Sequence, residues 1–430
     1  MEGLTRARAL DRADPLRSFR RRFFCPPGVS YLDGNSLGLL SRESEGAVRG
    51  ALRSWKELGV RAWFEGESPW IDWGERLGAR LAAIVGAGSN EVVATGSTTV
   101  NLHQLLATLY RPDGRRAVIV AADLEFPSDL HAIEGAIARQ GADPARCLRI
   151  VPSRDGRLIE EGDVEAAIGE DTALLVLSAV LYKSAQRLDL VRLTRSAHAR
   201  GALVLWDLSH AIGAVPVNLG RADADAAVWG NYKYLGAGPG AVAGLFLARR
   251  HHGRKPGLPG WWGQSVADRF AMRADHVPGD GASGLQIGTI PVLAAAALWG
   301  ALDLIEEAGM DRIAAKGSAL TSYLIDCLDR YCPEERTGLR VGSPRDASRR
   351  GAHVAIEHPT RAGEIQSALA SEGIVTDFRP PDVIRAATPA LTTRYRDAWR
   401  LVETLARILI GPARPVGSGG ARRPRPGRSA

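Results

Sequence analysis

Cysteine and methionine are scarce in this chain of 430 residues, which has four cysteines and three methionines. The cysteines form neither a CxxC pair nor a metal-ligand spacing, so the sequence predicts reduced thiols and no metal site. Long apolar runs are also missing, since no run approaches the roughly 20 residues that a membrane-spanning helix needs. Residues 1–22 lack the apolar region of a secretory signal. We therefore expect a cytoplasmic protein with no membrane partner.

Acidic residues are absent from the segment 411–430, which is rich in Gly, Pro and Ser and holds five arginines. We predict a disordered tail over residues 413–430. The tail accounts for most of the net charge of +7 and leaves the rest of the chain close to neutral. A basic tail can bind polyanions, but no stripe of interleaved basic and aromatic residues occurs elsewhere. We therefore expect no nucleic-acid partner.

The glycine-rich fingerprints of nucleotide-binding proteins are also lacking. No GxGxxG follows an early strand, which argues against a nicotinamide-dependent dehydrogenase. The segment 34–38 (GNSLG) has neither a long preceding strand nor the lysine of a P-loop. A search for function must therefore start from other residues.

The middle of the chain alternates strand-like and helix-like segments. Strands are predicted at residues 117–121, 148–152, 173–177, 202–206, 226–229 and 241–248, with amphipathic helices at 130–140, 164–169 and 190–200. Apolar strands separated by helices indicate an α/β fold whose large sheet is mostly parallel and flanked by helices. Ligands of such folds bind beyond the carboxyl ends of the strands.

The length of the chain is typical of two lobes. A helix at 292–308 is expected to link them, followed by strands at 353–356, 374–377 and 383–386 and helices at 312–330, 362–372 and 395–409. We predict an N-terminal arm (1–52) with a turn at 32–36, a large domain (53–295) and a smaller α/β C-terminal domain (296–412).

One lysine lies in an unusual setting. Lys233 stands between the apolar runs 226–229 and 241–248, beside a loop with glycine at positions 236, 238 and 240. Burial lowers the pKa of an amine and makes it nucleophilic, as a Schiff base requires. Asp207 follows an earlier strand, and such a pair suits pyridoxal phosphate: the carboxylate keeps the pyridine nitrogen protonated and the lysine holds the aldehyde as an imine. His210, three residues on, could bind the cofactor or close the loop.

Other segments are ambiguous when each is taken alone. The hydroxyls of residues 97–99 precede a helix and could bind a phosphate or serve as an ordinary cap. Phe126 could stack on a flat cofactor ring or cover the core. The pair Trp261-Trp262 could reach a ligand or form a subunit interface, and both can hold together. Arg385 could clamp a substrate carboxylate or lie in solvent.

Together these segments resemble the kynureninase family, pyridoxal-phosphate enzymes with the aspartate-aminotransferase fold. The matching pieces are 31–38 (YLDGNSLG), 97–102 (STTVNL), 126–129 (FPSD), 206–211 (WDLSHA), 232–235 (YKYL), 256–263 (PGLPGWWG) and 383–385 (VIR). They occur in the family's order and cover nearly the whole chain apart from the tail. Three positions depart from the usual pattern: Gly236 replaces Asn, Ser184-Ala185 replaces Thr-Gly, and Gln264 stands where some relatives have His.

The resemblance implies hydrolysis of the Cβ–Cγ bond of L-kynurenine, or of a ring-substituted kynurenine, to anthranilate and L-alanine. It implies Lys233 and Tyr232 as catalytic residues and Arg385 as the ligand of the substrate carboxylate. Trp63 and Thr289 match positions that flank the substrate ring, which favours a kynurenine without a 3-hydroxyl. The implied cofactor-binding residues are Thr98, Thr99, Phe126, Asp129, Ser178, Asp207, His210, Tyr232, Lys233, Trp261 and Thr289. A homodimer with shared active sites is also implied, with Trp261 coming from the second subunit.

Two other readings remain open. A cysteine desulfurase or related lyase shares the fold and cofactor but needs a nucleophilic cysteine on a mobile loop. Cys327 and Cys332 lie in or just after an amphipathic helix, which does not favour an activated thiolate. A non-catalytic partner-binding homologue is the third possibility, and the presence of Lys233, Asp207 and Arg385 argues against it.

Overall fold

The computed structural model describes residues 2–411, so the tail predicted to be disordered over 413–430 lies outside the described residues. The strands are β1 (Ser30–Tyr31), β2 (Val92–Thr95), β3 (Val118–Ala122), β4 (Leu148–Val151), β5 (Thr172–Ser178), β6 (Leu203–Asp207), β7 (Ala226–Trp229), β8 (Ala243–Leu247), β9 (Arg340–Val341), β10 (His353–Glu357), β11 (Ile374–Val375), β12 (Asp377–Arg379) and β13 (Val383–Ala387). The helices are α1 (Glu2–Ala13), α2 (Arg42–Leu58), α3 (Trp73–Val85), α4 (Thr98–Leu109), α5 (Pro127–Arg139), α6 (Pro144–Cys147), α7 (Glu161–Ala167), α8 (Leu190–Ala199), α9 (Leu219–Ala222), α10 (Val292–Ala308), α11 (Met310–Tyr331), α12 (Glu334–Thr337), α13 (Ala362–Ser371) and α14 (Tyr395–Ile410).

The large sheet has the strand order β2-β8-β7-β6-β5-β3-β4. All neighbours from β7 to β4 are parallel, and β8 is antiparallel to both β2 and β7. This confirms the predicted mostly parallel sheet. Alternate residues of β6 enter two different apolar cores: Val204 and Trp206 join one and Leu205 joins the other. Both faces of the sheet are therefore buried under helices, which explains why its strands read as continuous apolar runs.

The second sheet is antiparallel, in the order β12-β13-β10-β9. It shares an apolar core with residues of α11, α13 and α14. The helix predicted at 292–308 is present as α10 and leads from the large sheet to this region. The segment predicted as one extended strand at 374–377 is two short strands, β11 and β12, because β11 pairs with β1 in a separate parallel ribbon.

Helices α1, α2 and α3 and strand β2, all within the first hundred residues, were not predicted from the sequence. Residues 2–13 form helix α1, which packs on α14, and a Cβ on Gly3 would lie 2.1 Å from the ring of Trp399. The turn at 34–36 is present, as expected. Strand β2 was not predicted, because its four residues are too short to produce a clear pattern. No helix within residues 2–411 is long and apolar enough to cross a membrane.

The parallel strands direct several polar residues to one edge of the large sheet. Ser178 ends β5 and Asp207 ends β6, and these two residues are register partners. Lys233 follows the end of β7 by four residues, and Glu125 follows the end of β3 by three. The carboxyl ends of parallel strands meet at one edge, so the sheet itself gathers these groups.

Candidate active site

Lys233 is held in a tight turn between β7 and β8. Gly38 of the N-terminal segment donates a backbone hydrogen bond to the carbonyl of Tyr232 at 2.8 Å. A Cβ on Gly38 would lie 2.5 Å from the Lys233 carbonyl oxygen, so only glycine permits this approach. Asn231 donates from its side chain to the carbonyl of Val242 at 2.6 Å and ties the two ends of the loop together.

The amine of Lys233 faces a histidine. Its Nζ lies 3.0 Å from Nε2 of His210. Burial lowers the pKa of Lys233 to about 8; Asp207 opposes this effect and Arg385 adds to it. Burial, together with the charges of Lys233 and Arg385, holds the pKa of His210 well below its usual range, so the imidazole is neutral at pH 7. A neutral imidazole can accept a hydrogen bond from the Lys233 amine without placing a second positive charge beside it.

Asp207 precedes His210 by three residues and is 8% exposed. Its Oδ1 accepts a hydrogen bond of 2.6 Å from the backbone N–H of Ser209. This bond fixes the carboxylate at the end of β6, where it faces the sheet edge shared by Lys233. A buried carboxylate in this position can keep a ring nitrogen protonated.

Two more buried carboxyl groups lie beside Asp207. Glu125 accepts hydrogen bonds from the hydroxyl and the backbone N–H of Ser178, the latter at 2.9 Å. Burial raises the pKa of Glu125 to about 8. Burial, followed by the charges of Asp207 and Glu125, raises the pKa of Asp129 well above its usual range. The cluster therefore retains protons at neutral pH, because three ionised carboxylates cannot lie together in a dry site.

Glu125 was not predicted as a site residue. The segment 125–129 was singled out for its aromatic residue, yet its acid follows strand β3 at the same edge as Asp207. An acidic residue just beyond a buried parallel strand is the signal that could have identified it.

Of the residues predicted to bind a phosphate, Thr98 and Tyr232 come together within one chain. Thr98 and Thr99 form the first turn of α4, whose free N–H groups favour an anion. A Cβ on Gly230 would lie 3.1 Å from the Thr98 hydroxyl and 2.6 Å from the ring of Tyr232. The end of β7 therefore packs directly on the start of α4, and the Thr98 hydroxyl and Tyr232 border the same space.

Arg385 reaches this edge from the antiparallel sheet. It lies on β13, is 1% exposed, and donates to the carbonyl of Tyr182 at 2.8 Å. It also forms an ion pair with Asp377 on the neighbouring strand β12. The ring of Tyr182 meets Phe126 edge-on with 5.4 Å between ring centres, and Phe126 keeps 40% of its surface exposed. Phe126 can therefore offer a free face to a planar ligand.

The tryptophans form a separate aromatic group. Trp63 packs against Trp262 with 5.1 Å between ring centres, and Trp262 is buried. Trp261 is 45% exposed, and its indole N–H donates to the carbonyl of Arg269. Thr289 is exposed. Among residues 2–411, neither Trp261 nor Thr289 is a hydrogen-bond or ring partner of Lys233 or His210.

Pyridoxal phosphate fits the chemistry of these groups. At this sheet edge, the buried polar atoms without a hydrogen-bond partner in the described part of the chain include Oδ2 of Asp129, Oε1 of Glu125 and Nδ1 of His210. Such unpaired buried atoms require an explanation in a native structure, and an absent ligand supplies one. Within residues 2–411, no group of His, Cys, Asp and Glu side chains could hold a metal ion.

Solved structures with this fold include cysteine desulfurase from Thermococcus onnurineus NA1. Its TM-score is 0.76 at 17% identity, with 92% of this chain and 98% of that chain covered. A mutant of the cystine C–S lyase C-DES, with glycine covalently linked to its PLP cofactor, gives a TM-score of 0.76 at 19% identity, covering 90% and 98%. The fold and the lysine site together define the class, an α/β enzyme that uses pyridoxal phosphate.

Sequence comparison identifies the family within this class. The sequence model of the kynureninase C-terminal domain matches residues 313–405. The kynureninase of Geobacillus thermodenitrificans is 45% identical over 403 residues, covering 94% of each chain. That of Bacillus anthracis is 42% identical over 399 residues, covering 93% of this chain and 92% of its own. The chain belongs to the kynureninase family, as its motifs predicted.

The departures from the usual motifs have local explanations. Gly236 has a φ of +72°, in the left-handed region that glycine and asparagine adopt most readily, so Gly can replace Asn there. Ala185 has a φ of +63°, which is unfavourable for alanine and normal for the glycine it replaces. Gln264 bonds the backbone of Asp275 and Val277 and thereby closes its own loop.

Proposed function

We propose that this protein hydrolyses the Cβ–Cγ bond of L-kynurenine, or of a ring-substituted kynurenine, to anthranilate and L-alanine with pyridoxal phosphate as cofactor. The similarity to kynureninases over nearly the whole chain supports this reaction. The observation that carries it is the contact between Lys233 and His210, 3.0 Å apart at the sheet edge that also holds Asp207. One molecule of water is consumed, and its OH and H are divided between the two products.

The cofactor, when bound, supplies an electron sink that makes the α-proton of an amino acid acidic and accepts the electrons of the cleaved bond. Asp207 would hold the proton of its ring nitrogen, and Lys233 would hold its aldehyde carbon. Phe126 would cover one face of its ring, with Asp129, Ser178 and His210 along its edge.

The space at the start of α4 would take the phosphate of the cofactor. Thr98, Thr99 and Tyr232 border this space, and the start of α4 contributes its N–H groups. The partial positive charge at a helix N-terminus favours an anion there.

Lys233 and Tyr232 are the proposed proton carriers. A pKa of about 8 for Lys233 lies near the working pH, where an acid–base group is most effective. Burial, together with the charges of Asp207 and Asp129, raises the pKa of Tyr232, so its phenol stays protonated and can donate. Lys233 would move the α-proton, and Tyr232 would shuttle protons to the later steps.

Arg385 is the proposed ligand of the substrate carboxylate. Its buried guanidinium offers the paired N–H geometry that suits a carboxylate. Trp63 and Thr289 would flank the aromatic ring of the substrate. Because Thr289 is exposed within one chain, a second subunit would have to enclose this part of the site.

A homodimer with shared active sites accounts for the exposed tryptophan. Trp261 contacts Phe270, which is 44% exposed, and Phe270 contacts Phe64, which is 56% exposed. A contiguous aromatic surface of this kind favours burial against a partner. In the dimer, Trp261 of each subunit would help to hold the phosphate in the other subunit's site.

The four free cysteines suit a reducing cytoplasm.

Desulfurase chemistry is less supported. Cys327 and Cys332 are each 3% exposed, and burial raises the pKa of the Cys332 thiol to about 12. A desulfurase needs an accessible thiolate, which burial opposes. The likeness to solved desulfurases, at 17% identity, concerns the fold alone. A non-catalytic homologue would have no need for the clustered Lys233, His210 and Asp207.

An absorbance and fluorescence experiment tests the proposal. The purified protein should be yellow from bound cofactor and should release fluorescent anthranilate from L-kynurenine. Lys233→Ala should lose the absorbance band of the lysine-bound cofactor and the anthranilate signal. A yellow protein that releases no anthranilate would show that kynurenine is not the substrate. Formation of sulfide from L-cysteine would then support the desulfurase hypothesis.

Substrate choice can be tested in the same assay. With Trp63 and Thr289 at the ring, the pocket offers one hydroxyl and no histidine at these positions. We expect kcat/KM for L-kynurenine to exceed that for 3-hydroxykynurenine by about tenfold, the range that one unmatched polar group produces. A clear preference for the hydroxylated substrate would contradict this.

A further inference from the structure

Three charged side chains of the antiparallel sheet, Arg379, Asp377 and Arg385, are bonded in a row beside the active site. Asp377 and Arg385 are register partners on the antiparallel strands β12 and β13, so their side chains share one face of the sheet. Arg379 lies two residues beyond Asp377 on the same face. Oδ2 of Asp377 accepts from Arg379 at 2.8 Å and also from Arg385. One carboxylate oxygen thus serves two guanidinium groups.

This sharing has an electrostatic consequence. An isolated Asp377–Arg385 pair would be neutral, and a substrate carboxylate would have to compete with Asp377 for Arg385. With Arg379 included, two positive charges meet one negative charge, because arginine stays protonated. Ser36 donates its hydroxyl to the same Oδ2 at 2.8 Å and further fixes the carboxylate. These three groups sum to one positive charge. Asp33 lies in the same electrostatic field, and burial, with the charge of Asp377, raises the pKa of its carboxyl against the opposing charges of Arg385 and Arg379, so it ionises less readily than an ordinary aspartate.

Unused hydrogen-bond donors point to a ligand at this position. In the described part of the chain, the Nε atoms of both Arg379 and Arg385 are buried without a hydrogen-bond partner. Arg385 also contacts the carbonyl of Tyr182, whose ring meets Phe126. The charges of both arginines lower the pKa of Lys233, although burial is the larger cause. Both arginines therefore contribute to the electrostatic field at the reacting amine.

We propose that Arg379 is a second cation of the substrate carboxylate site, a positioning residue that shares Asp377 with Arg385 and so leaves Arg385 available to the α-carboxylate. This inference rests on the proposed function, in which Arg385 binds that group. Arg379 acts on binding and not on bond cleavage, so its removal should weaken carboxylate ligands selectively. Removal of one positive charge within several ångströms should change affinity by about tenfold.

The test uses holoenzyme and two ligands that are not cleaved. L-alanine, the product, carries the α-carboxylate; kynuramine is kynurenine without it. Both are titrated by the change in cofactor absorbance. For Arg379→Gln we expect about a tenfold higher Kd for L-alanine, an unchanged Kd for kynuramine, a KM for kynurenine about tenfold higher and kcat within about twofold. Arg379→Lys, which keeps the charge, should stay within about threefold of the wild type.

Arg385→Lys separates this inference from the proposed function. If Arg385→Lys weakens L-alanine and Arg379→Gln does not, the role of Arg379 is wrong and the carboxylate clamp stands. If Arg385→Lys affects L-alanine and kynuramine equally, the clamp itself is wrong and the inference fails with it. Equal weakening of both ligands in Arg379→Gln would indicate a merely structural role and would also overturn the inference.

Discussion

The two ends of the parallel strands β6 and β7 each hold a buried acid, and their surroundings are opposite. At the amino end, Asp225 accepts from Nε2 of His251 at 2.6 Å, Nε2 of His198 at 2.8 Å and the backbone N–H of Val204 at 2.8 Å. Arg250 adds an ion pair at 2.7 Å. At the carboxyl end, Asp129 has a buried Oδ2 with no partner in residues 2–411.

The pKa values of the two acids move in opposite directions for this reason. Burial alone would raise both. At Asp225, hydrogen bonds from His251 and His198 overcome burial and lower the pKa to about 2. At Asp129, the neighbouring carboxyls reinforce burial and raise the pKa. Asp225 is surrounded by donors that hold its charge, whereas Asp129 has chiefly other carboxyl groups beside it, so its Oδ2 remains able to bond a ligand.

The largest expected effect concerns the carboxyl ends of β6 and β7, called here the unpaired end because of Asp129. Lys233→Ala should lower the rate of anthranilate formation by about 10⁴-fold, since it removes a group that transfers protons and holds the cofactor. The unfolding free energy of the cofactor-free protein should change little, because a desolvated amine contributes no favourable burial. The exposed Lys255→Ala is the matched control and should keep full activity. A large loss of stability in Lys233→Ala would mean that this end is structural too.

The second effect concerns the amino ends of β6 and β7, called here the paired end because Asp225 has a full set of hydrogen-bond donors there. Asp225→Asn should lower the unfolding free energy by about 3–5 kcal/mol, because the donors of Arg250, His198 and His251 stay partly buried and lose the anion that they bond. Denaturant unfolding monitored by circular dichroism measures this. The specific activity of the folded, cofactor-loaded fraction should be unchanged. Asp223→Asn is a suitable control, since the Asp223 side chain is 68% exposed and should contribute less than about 1 kcal/mol. Equal losses in both variants would contradict the special role of Asp225.

The third effect is a pH dependence. Glu125 has a pKa of about 8 in the folded protein against an ordinary value of 4.5, so the folded state holds its proton more tightly. Stability from this group is complete below about pH 4.5 and is lost as the pH rises to about 8. Glu125→Gln keeps the neutral shape and should reduce the loss of unfolding free energy between pH 5 and 8 by on the order of 3 kcal/mol.

This slope is measured by unfolding the cofactor-free protein in urea at a series of pH values. At Asp225 the sign is reversed, because its folded pKa is depressed. Its stabilisation is present above its ordinary value of 3.8 and is lost as the pH falls towards 2. Parallel pH slopes for wild type and Glu125→Gln would mean that Glu125 is ionised in the fold.

The sequence predicted the unpaired end far better than the paired one. Asp207 and Lys233 were predicted because each follows an apolar run that reads as a buried strand. The cluster at Asp225 was not noticed, since its partners His198, His251 and Arg250 are distant in sequence. The packing of α8 on β6 and the pairing of β7 with β8 bring them together. Helix α1 was missed because its apolar contacts are with the distant residue Trp399.

The family resemblance supplied residues that local patterns left ambiguous. Arg385 reads as a solvated arginine in its own segment, yet it is 1% exposed. Its burial depends on Asp377 and Tyr182, which no periodicity relates to it. Trp261 and Thr289 could not be placed beside Lys233 from one chain, and the exposed aromatic surface explains why a second subunit must be considered.

The smallest expected effect tests how much Arg250 contributes to the stabilisation of Asp225 at the paired end. The Arg250 side chain is 39% exposed, so water screens its attraction to Asp225. Arg250→Gln should lower the unfolding free energy by only about 0.5–1 kcal/mol, because the bonds from His251, His198 and Val204 remain. Arg250→Lys should recover part of that loss. A loss above about 3 kcal/mol would show that Asp225 depends on Arg250 as its main counter-charge. The paired end would then rest on one exposed contact and would be as sensitive to a single change as the active site.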